Sequence, residues 1–377
     1  MEIDNKMLIN STMGGGKPQR IHSIDALRAF ALFGILLIHT GNGFGIGLVD
    51  SINASVISRY LEKIIVALVN GRCALIFNVL FGISFYLILR KPSYSSLKFA
   101  WRCFILMLIG AINKYFYGGD ILMIYGFCGM LLTFVRNFPK KWIIIFAMFL
   151  YIVFFVLQYL DLSLFHNANE LKRHGENISF RECHELYLPS LWIYVKDLLS
   201  PAHLITLANF CIGYWLGRIG LIEKWDSLFQ KKHMLYSAII YLLIAATYLP
   251  FYKDVSALHD VVGCAFNLAG GTFYTIVVIW SYNHLRIAHK VLSWFESYGK
   301  CGLTNYSMQN WFSAIFLYYF GLAFNGYSFV AIMLCAILFF ILQNVFCRWW
   351  LSRFNNGPME YLWRCATERR LLQFRKA

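Results

Sequence analysis

A chain of 377 residues that is 59% hydrophobic and only 14% charged lies far from the soluble average, in which about a quarter of residues carry charge. The formal net charge of +15 sits on basic residues scattered between apolar runs, which excludes a nucleic-acid surface and points to loops that set membrane topology. The runs are continuous and do not alternate with period two, so a β-barrel is excluded as well.

Taken in order, the runs predict ten helices, at about 24–46, 64–89, 102–117, 120–136, 142–160, 201–220, 234–252, 261–284, 302–323 and 327–350, each close to the length that spans a bilayer. The expected fold is an all-α integral membrane protein. Asn70, Gly71 and Arg72 interrupt the second helix and divide it into a short half and a spanning half, an arrangement tolerated at membrane depth only where it is buried in protein or lines a cavity. The connector at 161–200, with mixed charges and three histidines, reads as a solvated linker or an acceptor contact. Of the 34 Lys and Arg residues, 24 fall on the side shared by both termini and 8 on the other, with Arg28 and Arg72 left inside the spans, so cytoplasmic termini are expected. This gives a cytoplasmic segment 1–21, a membrane domain 22–350 and a cytoplasmic tail 351–377, in which Pro358 to Arg364 and Glu368 to Arg370 alternate apolar and charged positions as an interfacial helix would. The start of the chain, with Asp4, Asn5 and Gly14 to Gly16, lacks the layout of a cleaved signal peptide.

Ten cysteines are present, and Cys73, Cys103, Cys128, Cys211, Cys264 and Cys335 stand singly in apolar segments without CxxC spacing. They read as small core residues, and no metal is expected. Nucleotide-binding loops, GxSxG elbows and HExxH motifs are missing too.

The polar residues inside the spans remain. Asp25, Arg28 and His39 share the first helix; eleven residues at 100° bring His39 to within about 20° of the face of Arg28, ~16 Å further along the axis. Asp25 and Arg28 are spaced for a local ion pair. Arg72, Asn78, Asn113, Lys114, Asp120, His203, Asn209, Asn305, Gln309 and Asn310 add further polar groups at depth. Singly, each is as well suited to gluing helices together as to a site; their density exceeds what an anchor needs. Asp120, after Gly118 and Gly119, is placed either to cap the fourth helix or to orient a substrate.

Several segments together resemble the bacterial YeiB-like family, relatives of membrane acyltransferases. They are Arg20 to Ala29, Leu80 to Phe85, Gly119 to Leu122 with Tyr125, Gly217 to Gly220, Leu303 to Gln309, and Gly357 to Arg364. The resemblance implies a bacterial inner-membrane protein that takes an acyl group, acetyl first among the candidates, from acyl-CoA and passes it to a hydroxyl of an envelope glycan, a lipid or another acceptor. In neighbouring membrane O-acyltransferases an arginine, ten residues and a histidine occupy the first helix, the spacing of Arg28 and His39. The YeiB-like pattern has asparagine at the position of His39 and histidine at that of Asn113, so this chain exchanges the two. On this reading His39 is the general base, Asn113 and Asn305 donate hydrogen bonds near the reacting centre, and Asp25, Arg28, Arg72, Asp120 and Gln309 bind donor or acceptor. Membrane lipids, acyl-CoA and the acceptor are the expected partners. A transporter or flippase for a small solute or headgroup is the alternative; a scaffold would leave Asp25, Arg28 and His39 without a task.

Overall fold

The computed structural model describes residues 21–41, 56–91, 94–117, 119–160, 198, 200–225, 229–249, 257–313 and 329–376. Within them are thirteen α-helices: α1 His22–Gly41, α2 Val56–Val69, α3 Arg72–Leu89, α4 Ser96–Phe116, α5 Leu122–Leu132, α6 Lys140–Tyr159, α7 Ala202–Arg218, α8 Lys231–Tyr248, α9 Ala257–His284, α10 Arg286–Lys300, α11 Gly302–Ser313, α12 Phe329–Arg353 and α13 Pro358–Glu368. The one pairing of extended backbone among these residues is an isolated bridge between Phe354 and Arg375. The expected segment 1–20, nearly all of the 161–200 connector, and the expected span ends at 42–46, 250–252 and 314–323 lie outside the described residues.

Six stretches are long and apolar enough to cross a membrane, with α2 and α3 counted together, and Leu122–Val135 is a shorter apolar helix. The protein has the build of a multi-pass membrane protein. Of the remaining expected spans, α7 has 17 residues, α8 has 18, and the described part of the ninth, α11, has 12. Residues 286–300, expected to be a connector, form α10, whose exposed Ile287 and Val291 and buried Glu296, Tyr298 and Gly299 show a helix with two unlike faces.

α1 is the hub. In its most apolar window 61% of residues are buried within the protein, against 28–39% for the other five candidate spans, and it packs on α2, α3, α9, α10, α11 and α12. Ala26, Ala29 and Ala31 keep its surface thin enough for so many neighbours. At Gly299 of α10 an added Cβ would stand 2.0 Å from the carbonyl oxygen of Asp25, so backbone meets backbone there.

The closest pairing outside the hub joins α3 to α7. A Cβ on Gly82 would lie 2.0 Å from the Phe210 carbonyl oxygen, and one on Gly213 would lie 2.0 Å from that of Val79. Phe81 stacks on Phe210 beside this crossing, centroids 4.3 Å apart. Small residues that let helices touch are the usual solution where lipid supplies no hydrophobic driving force between them.

The helix break expected near residue 70 is present. Gly71 adopts φ +78°, a left-handed conformation that favours glycine, and α2 ends as α3 begins. Arg72 turns back to donate to the carbonyl oxygens of Val66, at 3.2 Å, and Asn70, while its guanidinium lies 3.9 Å from the centre of the Phe266 ring. At the break the Asn70 carbonyl is thus met by Arg72 and that of Leu68 by the Tyr274 hydroxyl at 2.7 Å, partners from within the protein of the kind a discontinuous helix needs.

Gly213→Ala should lower the thermal unfolding midpoint of the detergent-solubilised protein markedly, by the ~1–3 kcal/mol typical of overpacking or more. Gly263→Ala, whose Cβ would meet only the Tyr248 ring at 3.1 Å, should cost less. Equal midpoints for the two variants would contradict the close α3–α7 crossing.

Candidate functional site

The residues singled out on α1 occupy two stations. At the N-terminal station, Arg28 Nη1 donates to Asp25 Oδ1 at 3.1 Å and Nη2 to Ser84 Oγ on α3 at 2.7 Å. The Ser84 hydroxyl donates in turn to the Leu80 carbonyl at 2.8 Å. Asp25 keeps 2% of its side chain exposed, whereas Arg28 keeps 26%; the carboxylate is a buried anchor and the guanidinium reaches past it. Beside this pair Glu296 of α10 accepts from Tyr282 at 2.7 Å and from Lys300 at 3.1 Å, with His22 at 2.7 Å. Burial alone would raise the Glu296 carboxyl, but those three partners outweigh it and hold it below its ordinary range.

The second station lies at the far end of α1. The His39 ring faces Tyr117, which follows α4, at a centroid separation of 4.9 Å, and Tyr306 of α11 at 6.0 Å. Tyr306 joins the parts: its hydroxyl accepts from the Ile121 backbone N–H at 3.2 Å, and Asn310, one turn on, donates to Asp120 Oδ1 at 3.2 Å. Asp120 Oδ2 accepts the N–H groups of Leu122, at 2.9 Å, and Met123, at 3.4 Å, so it caps α5 while turning its other oxygen to α11. Asn113 completes the set, donating to Ser307 Oγ at 3.0 Å and accepting from the Trp311 indole at 2.9 Å. Lys114, Asn113, Asp120, Tyr306, Ser307 and Asn310 are all buried. A half-buried imidazole is thereby set between two phenol rings, beside a buried group of hydroxyl, amide and carboxylate side chains.

Not every expected site residue belongs to this cluster. Asn305 and Gln309 lie on the opposite side of α11: Asn305 donates to the Tyr298 carbonyl at 2.9 Å and its carbonyl accepts from Gln343 at 3.0 Å, and Gln309 donates to the Tyr298 hydroxyl at 2.6 Å. These bonds fasten α11 to α10 and α12. Arg72 serves the α2–α3 break, as described above. Conversely, Tyr306, Ser307 and Tyr117 join the site although sequence reasoning did not single them out. The signal for the first two was available, since Tyr306 and Ser307 fall between the polar positions 305 and 309, but which face of α11 meets α1 and α4 is a tertiary fact.

A second buried polar set, between α3, α5, α6 and α7, contains Tyr125, donating to Asn78, and Tyr151, donating to Asn209 at 2.7 Å. Each bond joins two helices, the glue expected of such residues. Among the described residues no group of three or more His, Cys, Asp or Glu side chains is arranged to hold a metal, and most of the cysteines are buried, with Cys335 exposed.

Residues 206–370 match the family described as "Protein of unknown function (DUF418)". The chain is also 25% identical to "Uncharacterized protein YxaH" of Bacillus subtilis (strain 168), over 93% of this chain and 94% of that one. It is 23% identical to "Uncharacterized 39.9 kDa protein in amylase 3'region" of Bacillus acidopullulyticus, over 93% and 95%. The similarity therefore extends well beyond the matched C-terminal part, and none of these descriptions states an activity.

The Asp120–Asn310 contact yields a prediction. Asp120→Asn removes the charge and sets one amide against another, so it should destabilise the protein by about 1–3 kcal/mol. A double-mutant cycle with Asn310→Ala, read by thermal unfolding, should show a coupling of at least ~0.5 kcal/mol. Additive losses would mean that the two side chains do not act on each other.

Proposed function

We propose that the protein is a membrane acyltransferase that moves an acyl group, acetyl above all, from cytoplasmic acyl-CoA to a hydroxyl of an envelope glycan, lipid or other acceptor. One observation carries this reading: His39 stands at the edge of a buried polar cluster, on the same helix as Arg28, whose guanidinium is steadied by Asp25 and Ser84 and still reaches out. The ~16 Å between the two positions is a distance that an extended pantetheine arm covers. The YeiB-like resemblance and the Arg28–His39 spacing support the same assignment, whereas the residues at 39 and 113 depart from the YeiB-like pattern.

In this account the protein lies in the bacterial cytoplasmic membrane with both termini inside, and the Arg28 station faces the cytoplasm. Arg28 binds the phosphates or the polar arm of CoA, as a guanidinium suits phosphate geometry. At the far station neutral His39 accepts the proton of the acceptor hydroxyl, whose oxygen attacks the thioester carbonyl. The tetrahedral intermediate collapses with loss of CoA thiolate, which takes up a proton. Asn113, through its amide, and the Tyr306 and Ser307 hydroxyls are donors for the oxyanion, while Asp120 holds the turn and α11 in place.

Transport is the competing reading. A transporter's broken helices coordinate solute through unwound carbonyls, whereas here the Asn70 carbonyl is taken by Arg72 and that of Leu68 by Tyr274. That favours a structural break.

His39→Ala should cut acyl transfer by roughly 10²-fold or more, the usual scale for a positioned general base, while acetyl-CoA binding by calorimetry persists. Arg28→Ala should weaken that binding about tenfold, as loss of a charge-assisted hydrogen bond does. A wild-type protein that moves a solute across vesicles and forms no acyl product would overturn the reading. For orientation, thiol labelling of Lys376→Cys should succeed only from the cytoplasmic face; labelling from outside would reverse the assignment of the two stations.

A further inference from the structure

α13 and α11 meet end on, and each caps the other. Glu360, in the first turn of α13, extends its carboxylate to the start of α11. There Oε1 accepts the backbone N–H groups of Leu303, at 2.7 Å, and Thr304, at 3.1 Å, and Oε2 accepts the Thr304 hydroxyl at 2.5 Å. In return, Thr304 Oγ1 accepts the backbone N–H of Met359 at 3.0 Å. Orphan donors at two helix N-termini are thus met across one junction. The fit is tight: a Cβ on Gly357 would stand 2.2 Å from Glu360 Oε2 and 2.9 Å from Thr304 Oγ1.

α13 also holds the start of α4. The Trp363 indole donates to the Arg102 carbonyl at 2.8 Å, the Arg102 guanidinium lies 3.6 Å from the centre of the Trp363 ring, and Lys98 pairs with Glu368 at 2.6 Å. α4 carries Asn113 and α11 carries Tyr306, Ser307 and Asn310. The near ends of both helices are therefore fastened to α13, and they meet again at the Asn113–Ser307 bond. Asn305 and Gln309, bonded to α10 and α12, decide which face α11 turns inward; how far it reaches along its own axis is decided at its first turn, where Glu360 sits.

We propose that Glu360 is a positioning residue, which sets the axial register of α11 and so places Tyr306, Ser307 and Asn310 against His39, Asn113 and Asp120. The inference rests on the functional reading above for the consequence to catalysis and on the geometry alone for the placement. It assigns the C-terminal helix a task beyond lying at the membrane surface.

The test measures placement directly. In the full chain, in membranes, Asn113→Cys with Ser307→Cys should cross-link through a short bifunctional thiol reagent, since the native side chains meet at 3.0 Å, with Cβ atoms roughly 5–6 Å apart and so beyond a direct disulfide. Adding Glu360→Ala should slow that cross-link about five-fold, the scale of a lost helix cap. Glu360→Gln, whose amide oxygen still accepts both backbone N–H groups, should restore most of the rate. If Glu360→Ala does not fold, Glu360→Asp, which withdraws the carboxylate by one methylene, is read instead and should also slow the reaction. Cross-linking as fast in the folded Ala or Asp variant as in its parent would overturn the proposal. With native residues at 113 and 307, Glu360→Ala should lower kcat for acyl transfer and leave the KM for acyl-CoA unchanged. A wild-type chain that forms no acyl product, combined with slowed cross-linking in Glu360→Ala, would refute the functional reading and uphold the positioning role.

Discussion

The carboxylate of Asp120 is buried, with 1% of the residue exposed, at a turn between two helices where water cannot serve it. A charge or a carboxylic acid in such a place is costly unless donors surround it. The chain supplies them from two directions: the first N–H groups of α5 meet one oxygen and Asn310 meets the other. Satisfying this one group fixes the α4–α5 turn, draws α11 to it, and brings the Tyr306 hydroxyl under the Ile121 N–H. The His39 ring then packs against walls already in place.

α1 links this end of the body to the other. Its buried alanines allow helices to crowd around it, and the Gly299–Asp25 backbone contact presses α10 against its first turns. The polar groups at its two ends therefore sit on one rigid element. The proposed transfer, divided between a donor-holding end and a reacting end, needs such an element, because a displacement of ~1 Å is enough to cost a large factor in rate.

Much of the fold was legible in the sequence because apolar length reports directly on helices that cross a bilayer. The break at Asn70–Gly71 was legible for the same reason: a polar, glycine-containing interruption has few structural solutions. α10 was not, since a charged segment with an amphipathic face looks like a connector until the partner covering that face is known. For the candidate site, 3.6-residue periodicity drew attention to Arg28 and His39, and polarity within apolar runs to Asn113 and Asp120, whereas the neighbours each meets, Ser84 for Arg28 and Tyr117 and Tyr306 for His39, are matters of packing. The roles of Asn305 and Gln309 were not readable. On α11 polar residues cover both sides, and only packing tells that Tyr306, Ser307 and Asn310 face α1 and α4 while Asn305 and Gln309 bond to α10 and α12.

The central claim is that residues 39 and 113 serve one site from two helices lining α11. It is tested most directly by label transfer from radioactive acetyl-CoA to membrane acceptors in three chains: wild type, His39→Asn, and His39→Asn combined with Asn113→His. The account predicts product from the wild type, a loss of roughly 10²-fold or more in the single variant, and substantial recovery in the pair, where the imidazole works from α4. Full transfer by a well-folded His39→Asn chain would contradict it.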